Sequence, residues 1–256
     1  RALFHATKKE EGESSMKKKL TALVLSLVIA AMPAAAPVMN VQTVSAATTK
    51  AAVLKNTWSK DHKYYYDKNG KKVKGIRKIG KYTYIFDSKY TLVKNKKYYK
   101  YNASTYYRID TRGRATKLSQ VETLAAIRLQ KCGGNLRKAF NWSASLRYNG
   151  NYKVAKKNQT YYGIYGFRTG SGDCYVMAST FYWMAKVAGY NAHYVTGYVN
   201  KGKGNGPHAW VEIKVKNNTY VYDPNFQKEY GPKGYTGYAV KYGQKGTLKY
   251  IKKKVY

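Results

Sequence analysis

Three stretches of this chain carry side chains able to do covalent chemistry. Cys174 follows Ser171-Gly172-Asp173 and opens the run CYVMASTFYWMAKVAGY; His208 opens HAWVEIKV; Asp223 closes TYVYDP. A thiol, an imidazole and a carboxylate in that order can supply a nucleophile, a base that activates it, and a group that orients the base. Such a set attacks acyl carbons. Each residue also has a structural reading when taken alone. Cysteine is among the most buried residue types, a histidine at a strand start can serve packing, and an aspartate before proline reads as a turn.

The elements that must position these residues are visible in the spacing. Cys174, Met177, Ala178, Phe181, Met184, Ala185 and Ala188 recur at i, i+3, i+4 and i+7, which predicts a helix with one apolar face. Ser171, Gly172 and Asp173 offer its cap and Gly189 its end. Cys174 then stands in the first turn of a largely buried helix, where free backbone N–H groups and the helix macrodipole favour a thiolate. The segment 191–199, NAHYVTGYV, is rich in strand formers, and a glycine-rich loop, KGKGNGP, follows it. In HAWVEIKV strict alternation sends Ala209, Val211, Ile213 and Val215 one way and His208, Trp210 and Glu212 the other. A turn at Lys216-Asn217-Asn218 leads back along TYVYDPNF, which sets Asp223 within about one residue pair of His208. Upstream, SQVETLAAIRLQK and NLRKAFNWSASLRY show helical spacing on either side of Gly133-Gly134. Residues 226–256, ending KYIKKKVY, are expected to add an edge strand whose lysines discourage stray pairing.

Taken together, G-D-C-Y with a helix ending A-G-Y, then H-A-W-V-E on a strand, then Y-D-P, resembles the transglutaminase-like (papain-like thiol) superfamily over about residues 119–225. The resemblance implies an α+β fold with the cysteine helix packed on an antiparallel sheet. It implies Cys174 as nucleophile, His208 as general base and acid, and Asp223 as the residue orienting His208. An amide carbonyl would be captured as a thioester and passed to water or to an amine, so a peptide or protein amide is the expected substrate. The backbone N–H of Cys174 is one candidate oxyanion donor; for a second, Tyr161, Tyr162 and Tyr165 are merely close in sequence. The four histidines (His5, His62, His193, His208) show no metal-ligand spacing, and the acidic clusters of calcium-dependent members are lacking. No metal or other cofactor is expected.

Residues 58–116 have another character. KYYYDKNGKKVKG, KYTYIFDSKYTLVKN and KYYKYNASTYYRIDTRGRATK resemble one another, with Asp67, Asp87 and Asp110 spaced by 20 and 23 residues. Tyrosines precede each aspartate, and Asn69-Gly70, Ser88-Lys89 and Arg112-Gly113 follow, which predicts hairpins that stack to bury their rings. These units resemble the wall-binding repeats of Gram-positive surface proteins, of the choline- and glucan-binding type. They depart from them in having a single tryptophan, Trp58, and an excess of lysine. A cation-binding aromatic cage suits such surroundings poorly, so teichoic acid or another anionic polysaccharide is the better ligand. The tyrosines have a second reading, as mere packing between hairpins.

From Met16, MKKKLTALVLSLVIAAMPAAAPVMNVQTVSAATTK has the basic start, short apolar core and small-residue end of a secretory signal, with Ser45-Ala46-Ala47 as the cleavage region. The apolar run is shorter than a spanning helix needs. The expected organisation is residues 1–15 untranslated, 16–47 signal peptide, 48–117 aromatic, lysine-rich repeats, and 118–256 the transglutaminase-like domain, with no transmembrane segment left after cleavage. Of 48 Lys plus Arg and 12 Asp plus Glu in the chain, residues 1–47 hold six and three; 42 and 9 remain, a net charge of +33. That field attracts polyanions. For a secreted chain the expected partners are wall polymers (peptidoglycan, teichoic acid), held non-covalently, rather than nucleic acid. The two cysteines, Cys132 and Cys174, exclude a disulfide framework, although one bridge between them would silence Cys174. Two functions of other classes stay open: a non-catalytic wall-binding protein using the thiol fold as scaffold, and a polyanion binder driven by charge alone.

Overall fold

The computed structural model describes residues 53–150, 158–200 and 204–256. The signal and leader segments expected over residues 1–47 lie outside these, as do residues 201–203 of the glycine-rich loop.

Seven short strands come first: β1 (Thr57–Trp58), β2 (Tyr65–Tyr66), β3 (Gly75–Ile79), β4 (Tyr82–Phe86), β5 (Lys96–Lys100), β6 (Tyr106–Ile109) and β7 (Ala115–Lys117). They form antiparallel pairs β1–β2 and β3–β4 and a three-stranded meander β5–β6–β7. One turn occurs three times. Asp67, Asp87 and Asp110 each accept backbone N–H bonds from the residues two and four positions later, all at 2.8–2.9 Å. The third residue after each aspartate has positive φ: Gly70 at 75°, Tyr90 at 63° and Gly113 at 82°. A carboxylate that bonds its own backbone two residues on closes such a turn without help from the rest of the fold.

The remainder holds α1 (Gln120–Lys131), α2 (Leu136–Ser145), β8 (Arg147–Tyr148), α3 (Gln159–Thr169), β9 (Ser171–Gly172), α4 (Cys174–Val187), β10 (Ala192–Asn200), β11 (Asn205–Val215), β12 (Asn218–Tyr222), α5 (Pro224–Tyr230) and β13 (Tyr250–Val255). The sheet runs β12–β11–β10–β13, antiparallel throughout, so the chain end does add an edge strand. On one face Ala192, Tyr194, Ala209, Val211 and Ile213 pack against Ala178, Phe181, Tyr182 and Ala185 of α4. On the other, Val195, Trp210 and Val221 are covered by Val240 and Tyr250. The alternation read in HAWVEIKV is therefore real, but both of its faces are buried.

α4 is largely buried, as expected: the sheet takes the apolar face that the spacing showed, and α1 closes over Met184 and Val187, so that ten of its side chains are buried. A helix enclosed on nearly all sides is a rigid platform for its first residue. Two helices lay hidden in the sequence. α3 packs against α4 through Gly163 and Gly166; a Cβ at Gly166 would lie 2.5 Å from Thr180 Cγ2. α5 begins where a plain turn was read, with Asp223 as its N-cap and Pro224 in the first turn, a placement that costs proline no hydrogen bond.

Candidate active site

Cys174 is the first residue of α4. The side chain of Asp173 caps the helix by accepting from Tyr175 N at 2.9 Å and Val176 N at 3.2 Å, and the Asp173 carbonyl takes Met177 N. The cap thus consumes the neighbouring amides and fixes the turn on which the half-buried thiol stands.

His208 sits on β11 with its side chain 3% exposed; Asp223 stands at the end of β12, fully buried. The hairpin register pairs Val211 with Tyr222, which sets Asp223 level with Trp210, one same-face step from His208. The two side chains meet: His208 Nε2 to Asp223 Oδ2 is 2.7 Å. Asp223 Oδ1 accepts from Phe226 N at 2.9 Å, and Oδ2 also accepts from the Tyr250 hydroxyl at 3.0 Å. A carboxylate so completely satisfied cannot turn away from the ring.

The electrostatics follow. Burial alone would depress the basicity of His208, but the charge and hydrogen bond of Asp223, with a further contribution from Cys174, reverse this and push its pKa up to about 10. With Nε2 committed to Asp223, Nδ1 is the edge left for chemistry. It is buried and has no hydrogen bond of ordinary geometry among the described residues. Cys174 thus acts on the ring through its charge and an imperfectly aligned contact, which ranks below the Asp223 bond. Loose nucleophile–base contacts are usual before substrate binds.

A second buried network holds the ring from below. Trp210 lies nearly parallel to His208, centroids 6.3 Å apart. Its Nε1 donates to the Tyr242 hydroxyl at 2.8 Å, Tyr242 donates to Glu212, and Glu212 pairs with Lys252 at 2.5 Å. Burial and the Glu212 carboxylate hold the Tyr242 phenol far above its ordinary pKa, so it stays a donor. Tyr250 and Tyr242 both come from the segment expected to give only an edge strand. The one sequence signal was Glu212, which alternation placed on the face of His208 and Trp210; because the structure buries that face too, its carboxylate requires a partner.

The cleft beside His208 is about 440 Å³ and is walled by Val199, Asn200, Asn225, Phe226, Glu229 and Tyr230 among others. Tyr148 borders the thiol: β8 runs parallel to β9, pairing Tyr148 with Gly172, and after burial it is the charge of Cys174 that most raises its phenol pKa. The sequence reading did not single it out. Of the tyrosines it did name, Tyr162 and Tyr165 pack with Leu146, Val176 and Met177, and Tyr161 is exposed. Both cysteines are free thiols. Cys132, the C-cap of α1, packs half-buried among Tyr106, Ala126 and their neighbours, and burial pushes its pKa up. Among the described residues no three His, Cys, Asp or Glu side chains converge as metal ligands would.

Residues 122–224 match the transglutaminase-like superfamily. That span runs from the first turn of α1 to the start of α5 and contains Cys174, His208 and Asp223; the protein thus carries a transglutaminase-like core of mixed helix and sheet. Among solved structures, one described as a putative cysteine protease from Cytophaga hutchinsonii is similar at 17% identity and a TM-score of 0.35, covering 41% of this chain and 38% of that one. No curated protein matches the chain.

Proposed function

We propose that this protein is a secreted, wall-associated thiol enzyme of transglutaminase type that cleaves or exchanges amide bonds in wall peptides or surface proteins. In this reading the Cys174 thiolate adds to an amide carbonyl, the His208 imidazolium gives its Nδ1 proton to the departing amine, and a thioester remains. Water or a second amine then attacks, its proton passes to Nδ1, the carbon–sulfur bond breaks, and the thiolate–imidazolium pair is restored. Asp223 keeps Nδ1 facing the sulfur throughout. The observation that carries the reading is the 2.7 Å His208–Asp223 bond, which leaves only Nδ1 for chemistry beside the Cys174 helix terminus.

Alkylation of both cysteines at pH 6, followed by peptide mass spectrometry, tests it without a substrate. Cys174 should react with iodoacetamide at least about tenfold faster than Cys132, and His208→Ala should remove that advantage while leaving Cys132 unchanged. Equal reactivity of Cys174 with and without His208 would leave a scaffold rather than an enzyme. Wall association is supported by the net charge of +33 that remains beyond residue 47 and by the lysine- and tyrosine-rich strands β1–β7. Cosedimentation with isolated walls bearing teichoic acid should fall steeply with salt and be lost from a chain beginning at Leu118; binding that ignores salt would count against it.

A further inference from the structure

We infer that Glu229 forms an ammonium-binding subsite on the amine side of the cleft, so that the amine component handled by this enzyme carries a second, protonated amine. The inference rests on the acyl-transfer reading above.

Carboxylates are scarce in this chain, and among the described residues all but one have a structural task. Asp67, Asp87 and Asp110 close turns; Asp61 bonds Ser59 and Lys63 N; Glu122 and Asp173 serve helix caps; Glu212 pairs with Lys252; Asp223 holds His208. Glu229 is exposed on α5 and has no ion pair or hydrogen bond among the described residues. It does not stand on an indifferent surface. It walls the same cleft as His208, and its charge reaches the Tyr148 phenol, as does that of Cys174. Glu229 therefore stands on the His208 side of the site.

That side has a defined chemistry. His208 passes a proton to the leaving amine and takes one from the entering amine, so both occupy this half of the cleft. The nitrogen that attacks must be neutral, and so cannot be the cation that Glu229 holds. A second amine on the same component can be. Such a component is a dication or an amine-bearing residue, and the field of the 42 basic against 9 acidic residues beyond residue 47 repels it at long range. One unpaired carboxylate within the cleft reverses the sign locally.

The test uses the full chain acylated at Cys174 by p-nitrophenyl acetate, with loss of the acetyl group followed by mass spectrometry in 1-aminobutane or 1,4-diaminobutane. The neutral amine nitrogen adds to the thioester carbonyl, its proton goes to His208, and the thiolate leaves with an amide as product. The diamine-to-monoamine rate ratio should fall roughly two- to fivefold on Glu229→Gln, as expected for an exposed ion pair, and further on Glu229→Lys. A ratio equal in all three proteins overturns the Glu229 subsite and leaves acyl transfer standing. Failure of Cys174 to acylate, or equal acylation in His208→Ala, overturns the acyl-transfer reading and the subsite together.

Discussion

At the scale of single residues the site depends on one buried carboxylate. Asp223 accepts from His208, Tyr250 and Phe226 N together, so its charge is spent on the imidazolium and on the start of α5. The raised pKa of His208 is then a stability statement. Its value is about 10 in the fold against ~6.5 in an unfolded chain, so the charged form is favoured by folding. The contribution is whole below about pH 6.5 and is lost as pH rises through about 10. Asp223→Asn removes the charge that drives this. The gap in melting temperature between wild type and Asp223→Asn should be widest near pH 6 and narrow toward pH 10; a gap that stays constant would show that Asp223 acts only as a helix cap. The meeting of His208 with Asp223 was legible because alternation and the turn at Lys216-Asn217-Asn218 set the two within about one residue pair. Tyr250 was not, because no local pattern tells that a tyrosine 27 residues beyond Asp223 returns to it.

At the scale of elements, the backbone must come close where side chains would be in the way. Gly197 of β10 pairs with His208 on one side and lies under β13 on the other; a Cβ there would be 2.1 Å from the Ile251 carbonyl oxygen and 3.0 Å from Trp210 Cη2. Gly197→Ala forces β13 outward, and with it Tyr250 and the cover over Trp210. Urea denaturation should show a loss of about 2–3 kcal/mol, and iodoacetamide labelling of Cys174 should slow in the same variant. A stable variant with unchanged labelling would mean that β13 has no part in setting the site. Glycine also explains the helix that was missed. QTYYGIYGFRT reads as a poor helix because Gly163 and Gly166 each weaken it by about 1 kcal/mol, yet contact with α4 requires their missing Cβ atoms. Tertiary contact overrode propensity. α5 was missed for a related reason: Asp-Pro serves a turn and a helix start equally well.

At the scale of the whole molecule, the hairpins are joined to the core rather than strung in front of it. The repeat spacing foretold three aspartate turns, and nothing in it foretold docking, because Tyr106 and Arg108 stand inside the third unit, where they read like the tyrosines and basic residues of the other two. Tyr106 and Leu118 share a hydrophobic cluster with Ala125, Ala126, Leu129 and Met184, so β6 helps to cover α1 and α4. The Tyr106 hydroxyl donates to Gln130 at 2.9 Å, and Arg108 pairs with Glu122, the residue that completes the α1 capping box, at 2.8 Å. A chain beginning at Leu118 loses that cover and leaves the Tyr106-facing surface of α1 in water. Burial of one such ring is worth about 1.5–3 kcal/mol, which for a domain of this size is a melting shift of very roughly 5–10 °C. A chain beginning at Lys94 keeps β5, β6 and β7 over α1 but uncovers Tyr107 and Ile109, which pack on Ile85, so it should melt below the full-length chain and above the chain beginning at Leu118. Because α1 in turn packs on α4, the shortened chain should also show weaker discrimination between Cys174 and Cys132 in alkylation. Equal melting of the Leu118 and full-length chains would instead make the hairpins an independent module, whose contacts with α1 contribute nothing to the platform beneath Cys174.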